Sequence, residues 1–327
     1  MKVLGIGNAL LDVLLRLEND NTLDEIGIRK GAMDLIEESQ MKAIHRAQVG
    51  LIRSEAPGGS VCNTMRAMAC LGGKVGYIGK VGTDTNGNFY ENAIRKAGVT
   101  PHIIRVEGIS GTSTILISPD SERSMATFLG PAATLSATEI PDETFTEYDC
   151  IYIEGYLIAN EALFLPVLQR AKKAGLQIAL DLSNFNVVNG FKGLLSEVIP
   201  QYVNILFSNE SEAECYTGLH AEKAVRKISE QVDISVVMIG KRGALAGSKG
   251  EVIAVPALGQ NPIDTTGAGD NFAAGFLYGL TKNTSLTQAA QIGSLLAGCV
   301  VETIGPQIPD EQWPHIMSKA NEILNTK

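Results

Sequence analysis

Strand-like and helix-like runs alternate along most of this chain, and that alternation constrains its fold more than any single motif. Short β-type runs at 2–8, 75–79, 151–154, 177–181, 204–207 and 235–239 are separated by longer stretches. At 61–71, 86–97 and 161–174 the apolar residues recur at helical spacing, and Gly98 and Gly175 stop two of these helices. Further helices start near Asn209 and Ala221, and the last quarter is helical over 270–280, 286–301 and 310–324. Strands joined by helices pair in parallel, which predicts an α/β fold with a mostly parallel sheet and helices on both faces. Two stretches break the rhythm, 13–57 and 111–129, the latter reading GTSTILISPDSERSMATFL as two β runs around a polar turn. They are expected to combine into a small β-sheet lid, discontinuous in sequence, beside the open end of the main sheet. Surface hairpins without a role are the alternative. The large domain then comprises 1–12, 58–110 and 130–327, a division that suits a chain of 327 residues.

Composition narrows the function classes. A net charge of −9 with no Lys/Arg cluster argues against a nucleic-acid partner. Cys62, Cys70, Cys150, Cys215 and Cys299 are odd in number and form no C-x-x-C pair, as expected of reduced thiols in a cytoplasmic protein. The histidines are scattered without metal-ligand spacing. Asn8 and Asp12 interrupt the apolar N-terminus MKVLGIGNALLDVLL, which reads as a first strand and its loop rather than a signal peptide. No apolar run reaches membrane-spanning length, so no membrane partner is expected.

The chemistry concentrates in DTTGAGDNFAAGFL, residues 264–277. Gly267, Ala268 and Gly269 precede an apolar helix, where backbone N–H groups and the helix dipole bind a phosphate. Asp270 follows at once, placed to take a proton from an attacking hydroxyl; its bland reading is an acidic helix cap. Gly58 and Gly59 let backbone approach a small polar molecule, Asn63 offers an amide donor and acceptor, and Asp12 suits a vicinal diol. Each of these, taken alone, reads first as a turn or cap residue. Asn209 and Glu212, three apart, either hold Mg²⁺ through water or form a capping box.

In order and over nearly the whole chain, these stretches resemble the ribokinase-like (PfkB) carbohydrate and nucleoside kinases. DTTGAGDNFAAGFL resembles the C-terminal signature of that family, and PGGSVCNTMRAMACLGGKVGYIGKVG (57–82) resembles its N-terminal one. GNALLDV and the block LDLSNFNVVNGFKGLLSEVIPQYVNILFSNESEAE (180–214) are most similar to the adenosine kinase branch. The resemblance implies a Rossmann-like sheet with a small β lid and an ATP-dependent phosphotransferase. It implies Asp270 as base, with Gly267, Ala268 and Gly269 as anion hole. Asn8, Asp12, Gly58, Gly59, Asn63, Tyr156 and Arg123 are implied for the acceptor side. Asn209, Gly240, Lys241, Gly243 and Gly269 are implied for ATP, and Asn209 with Glu212 for Mg²⁺. Asp264 and Thr266 fall in the loop that some relatives use for K⁺. Met33 stands where adenosine kinases carry glutamine, and MIGKRGALAG is closer to the sugar kinases. The expected acceptor is therefore adenosine or a related purine nucleoside, with ribose, fructose or another furanose as alternative. The expected assembly is a monomer or homodimer. A non-catalytic nucleoside binder stays open. A dinucleotide-binding oxidoreductase is disfavoured because Leu10 replaces the third fingerprint glycine, and no Walker A sequence occurs.

Overall fold

The computed structural model describes residues 1–47, 53–120, 122–259 and 261–326. Residues 48–52 and Ser121, within the two stretches read as the lid, lie outside the described residues.

Nine strands form the large sheet, in the order Glu251–Val255, Ala244–Ser248, Ile234–Met238, Ile205–Asn209, Gln177–Asp181, Cys150–Glu154, Val3–Ile6, Val75–Gly82 and Thr100–Val106. All neighbours are parallel except the last two pairings at the Glu251–Val255 edge. Successive strand side chains point to opposite faces, and each face is covered. Cys150 and Tyr152 join one core cluster with Val3, Met65, Phe272 and Phe276; Ile151 and Ile153 join the other with Leu4, Ile6, Val167 and Leu206. In the first cluster the Ala268–Thr281 and Leu286–Val300 helices lie very close, with a Cβ built on Gly275 falling 2.5 Å from the Ile292 carbonyl oxygen. That approach explains the small residues of the glycine-rich helix.

The antiparallel edge departs from the expected strand–helix rhythm, because short turns rather than crossover helices join its strands. The turn at Lys249 and Gly250 has both residues at positive φ, 50° and 84°, which suits a tight hairpin.

Five strands make the small sheet, in the order Met33–Leu35, Arg123–Phe128, Gly111–Ile117, Leu10–Arg16 and Arg53–Gly58. The apolar N-terminus is thus two strands in two sheets, since the second begins at Leu10, inside the segment 1–12 assigned by sequence to the large domain. Leu11, Val13 and Leu15 point into a core completed by Leu23, Met41 and Ile44 from the Asn21–Ile26 and Glu38–Ala47 helices. By the two-residue period of a strand, Asp12 falls on the other face. Among the contacts that tie this sheet to the body around the large one, Gln307 Nε2 donates to the Pro57 carbonyl at 2.7 Å, Tyr90 Oη donates to the Gly58 carbonyl at 3.0 Å, and Arg123 pairs with Asp264. Among the described residues, no helix is long and apolar enough to cross a membrane.

Candidate active site

Asp270 sits in the first turn of the Ala268–Thr281 helix, whose N-cap Gly267 is left-handed at φ 75°. A side chain at Gly267 would be strained there and would meet Pro306 at 2.7 Å. Gly269 is different: a Cβ there meets only the tip of Met238 at 3.5 Å, an ordinary contact. The fold therefore does not demand that glycine. The Gly269 and Asp270 amides make no backbone hydrogen bond among the described residues, as first-turn amides do not. The acidic-cap reading of Asp270 fails, because its oxygens look across to another helix. Ser60 Oγ donates to Oδ1 at 2.7 Å and Asn63 Nδ2 to Oδ2 at 3.0 Å, both from the Ser60–Cys70 helix. Thr64 Oγ1 also donates to the Asp270 carbonyl at 3.1 Å. Burial raises the Asp270 carboxyl above its ordinary range, and the Asn63 and Ser60 hydrogen bonds oppose that rise.

Asp12 approaches the same point from the small sheet. It is 7% exposed, and its carboxyl is pushed up to about 7 by burial first and then by the Asp270 charge, with Arg66 opposing. Gly58 makes its position possible, since a Cβ there would fall 2.1 Å from the Asp12 carboxyl carbon. Gly59, at φ 93°, would meet the Asn8 carbonyl oxygen at 2.3 Å. Gly58→Ala is accordingly expected to displace Asp12 and to raise the acceptor KM about tenfold or more, as loss of a charged hydrogen-bond acceptor does, with a smaller change in kcat. Steady-state kinetics checks this, and an unchanged KM refutes it.

Asn8, 9% exposed, is turned inward: its backbone N–H and Nδ2 both donate to Glu154 Oε1, at 2.9 and 2.7 Å. Its amide oxygen and its second Nδ2 hydrogen have no partner among the described residues. Glu154 also accepts from Val61 N at 3.3 Å, and burial lifts its carboxyl to about 7. Asp181 ends the neighbouring strand, held by Ser183 N at 2.7 Å and Tyr152 Oη at 3.1 Å. Sequence reading assigned no role to Glu154, Asp181 or Ser60. A signal was present, for IYIE and IALD are apolar strands that end on a carboxylate at the sheet edge where open α/β folds bind ligands.

Asn209 and Glu212 form the capping box. Glu212 N bonds Asn209 Oδ1 at 2.9 Å, while Asn209 N and Nδ2 donate to Glu212 at 2.8 and 2.6 Å. The pair is not excused from other work by this, because Glu212 is 3% exposed and raised to about 8 by burial and the Asp181 charge. Two hard carboxylates that repel in this way suit a hydrated Mg²⁺, which binds through its water. Among the described residues no three His, Cys, Asp or Glu side chains group closely enough for a metal cage.

Tyr156, largely buried, donates to the Ser183 carbonyl at 3.3 Å. Gly240 and Lys241 are exposed in the turn Gly240–Arg242, after the strand whose Met238 borders Gly269. Gly243, at φ 99°, is required by the fold, as its Cβ would strike the Val255 carbonyl oxygen. Arg123 is not a solvated turn residue. Its side chain is 16% exposed, pairs with Asp264 and donates to Thr266 Oγ1 at 2.8 Å. Asp264 also accepts from Thr266 N at 3.0 Å and Gly305 N at 2.6 Å. With a guanidinium and these amides on its carboxylate, Asp264 does not fit a K⁺ site with Thr266 in this arrangement.

A carboxylate beside free helix-start amides, faced by a second carboxylate from the small sheet, is a layout for phosphoryl transfer to an alcohol. Residues 37–313 match the family of pfkB carbohydrate kinases. The chain belongs to this family. As a PfkB kinase it is an ATP-dependent phosphotransferase acting on small molecules. It is similar to the adenosine kinase of Saccharomyces cerevisiae, at 30% identity over 78% of this chain and 80% of that protein. Among solved structures it resembles a probable sugar kinase from Rhizobium etli, with TM-score 0.87, 31% identity and 98% of both chains covered. The adenosine kinase of Sinorhizobium meliloti is similar too, with TM-score 0.85, 31% identity and 98% of both chains covered.

Proposed function

We propose that this PfkB kinase phosphorylates the hydroxymethyl group of a nucleoside, most readily adenosine or a related purine nucleoside. The carrying observation is the pairing of Asp270, oriented by Ser60 and Asn63, with Asp12, whose carboxylate takes no hydrogen bond among the described residues. Asp12 holds the neighbouring hydroxyls of a furanose ring. That leaves the hydroxymethyl oxygen to reach Asp270, which takes its proton as the oxygen attacks the terminal phosphorus in line and the bond to the bridging oxygen breaks, releasing ADP. The amides at Gly267 and Gly269 receive the charge that builds on the transferred group, with the Ala268 amide, which also donates to the Thr265 carbonyl at 3.2 Å, between them. Asn209 and Glu212 hold Mg²⁺ through water, and the ion, when bound, screens the phosphate charges. Asn8, Gly59 and Asn63 shape the acceptor floor, while Gly240, Lys241 and Gly243 border the nucleotide.

The nucleoside reading draws support from two aromatics around the Ser183 turn. Tyr156 donates to the Ser183 carbonyl, and Phe185, two residues further on, is 47% exposed. A bare sugar leaves such a surface wet, whereas a purine covers it. The sugar reading has its own support in the Rhizobium etli relative and in Met33, 44% exposed on the lid edge in place of a polar contact to a base. A panel of nucleosides and furanoses with Mg-ATP, scored by ADP release, separates them. The expected result is a kcat/KM for at least one purine nucleoside about tenfold or more above any furanose, the minimum that one added favourable contact supplies. A furanose at the head of the panel overturns the nucleoside reading, and ligand binding without ADP release overturns the catalytic one.

A further inference from the structure

Behind Asp270 lies a cavity that the proposed reaction does not use. Arg66 stands three residues beyond Asn63 on the Ser60–Cys70 helix, hence on the same side. Its Nε and Nη1 are buried without a hydrogen-bond partner among the described residues. So are Asn63 Oδ1 and Asn271 Oδ1, on side chains of residues 6% and 1% exposed. Arg66, Asn63 and Asn271 line the same cavity of about 20 Å³, with Gln307, Asp310 and Trp313 on its other walls. One water needs roughly 10–15 Å³ of such space. A water has two lone pairs and two protons, and the unmatched groups are two N–H donors and two carbonyl acceptors. The far ends of both amides are committed. Asn63 Nδ2 holds Asp270, and Asn271 Nδ2 holds the carbonyls of Gly267 at 2.9 Å and Pro306 at 3.0 Å.

We infer that Arg66 is a positioning residue, binding one buried water that bridges to Asn63 and Asn271 and thereby fixes both the Asp270 carboxylate and the Gly267 turn. A flipped Asn63 amide would turn its oxygen on the carboxylate and its NH₂ on the guanidinium, and the bridge excludes that state. The inference rests on Asp270 being the base. Asp12, Glu154 and Asp181 also face Asp270 electrostatically, as do the phenols of Tyr152 and Tyr156, and Arg66 itself acts on Asp12. The test therefore has to separate the route through Asn63 from direct charge effects.

Arg66→Met keeps the side-chain length and removes the donors; Arg66→Lys serves as a second variant if the first does not fold. For whichever acceptor the panel selects, Arg66→Met is expected to lower kcat about tenfold. It is also expected to move the acid limb of the pH–kcat/KM profile up by about one on the pH scale, as loss of a hydrogen bond to a carboxylate does. In an Asn63→Ala background the same substitution is expected to move the limb no further. A displacement of the limb that persists without Asn63 overturns the bridge in favour of direct charge. A lowered melting temperature with an unmoved pH profile overturns it in favour of a purely structural role. The Asp270 carboxyl titration can be followed by carbon-detected NMR in the ligand-free protein, assigned with Asp270→Asn. An upward move in Arg66→Met that vanishes in the Asn63→Ala background supports the bridge even where every acceptor fails; no move, or a move that persists without Asn63, overturns it, so the two readings fail separately.

Discussion

Asp270→Asn is expected to fold normally, to bind ATP and acceptor within a few-fold of the unsubstituted protein, and to turn over about 10²- to 10⁴-fold more slowly. The amide has the shape of the carboxylate, so Ser60 Oγ keeps an acceptor and the Ala268–Thr281 helix keeps its start. What disappears is the proton acceptor. Binding has a reason to survive, and even to tighten on the acceptor side. The Asp270 charge is among the causes that raise Asp12, Glu154 and Asp181, so removing it leaves Asp12 more fully ionised. Pre-steady-state binding alongside single-turnover rates checks both halves. A rate within tenfold of the unsubstituted protein would remove Asp270 as the base.

Asp12→Asn is expected to stabilise the protein at neutral pH while weakening its hold on the acceptor. The folded-state carboxyl titrates at about 7 against an ordinary 3.8. Between those values the folded protein binds more protons than the unfolded chain, so its stability falls as pH rises through that window. Below about pH 4 the group is neutral in both states and contributes no difference. Above pH 7 the buried charge costs up to about 4 kcal/mol, because every tenfold gain in proton affinity on folding is worth about 1.4 kcal/mol. Asparagine removes the charge and flattens that slope, although Glu154, also raised to about 7, retains part of it. Urea midpoints from pH 4 to 8 report the slope, and an unchanged slope would show that Asp12 ionises freely in the folded state. The acceptor KM is expected to rise about 10- to 100-fold, since hydrogen bonds to a charged group are worth about 1.5–3 kcal/mol.

Local pattern alone determined a good deal about this protein. The strands that alternate with helices form the parallel body of the large sheet, because the two-residue and helical periods are written in neighbouring residues. The run DTTGAGD signalled a helix start with open amides, because left-handed Gly267 and the first helical turn are set within a few residues. The order of the motifs carried the family. The antiparallel edge at Ala244–Ser248 and Glu251–Val255 was not legible, because strand direction depends on which neighbour is chosen. Nor was the division of the first 16 residues between two sheets, for one apolar run gives no sign of where the chain changes partner. Only the tertiary structure decided that Asp270 is held by Ser60 and Asn63 from 207 to 210 residues away, and that Arg123 closes on Asp264. It also decided that Glu154 turns Asn8 inward and that Arg66 meets two amides across one small cavity. These pairings are set by how helices and sheets dock. Docking depends on burial and shape summed over the whole core, which no short stretch of sequence contains.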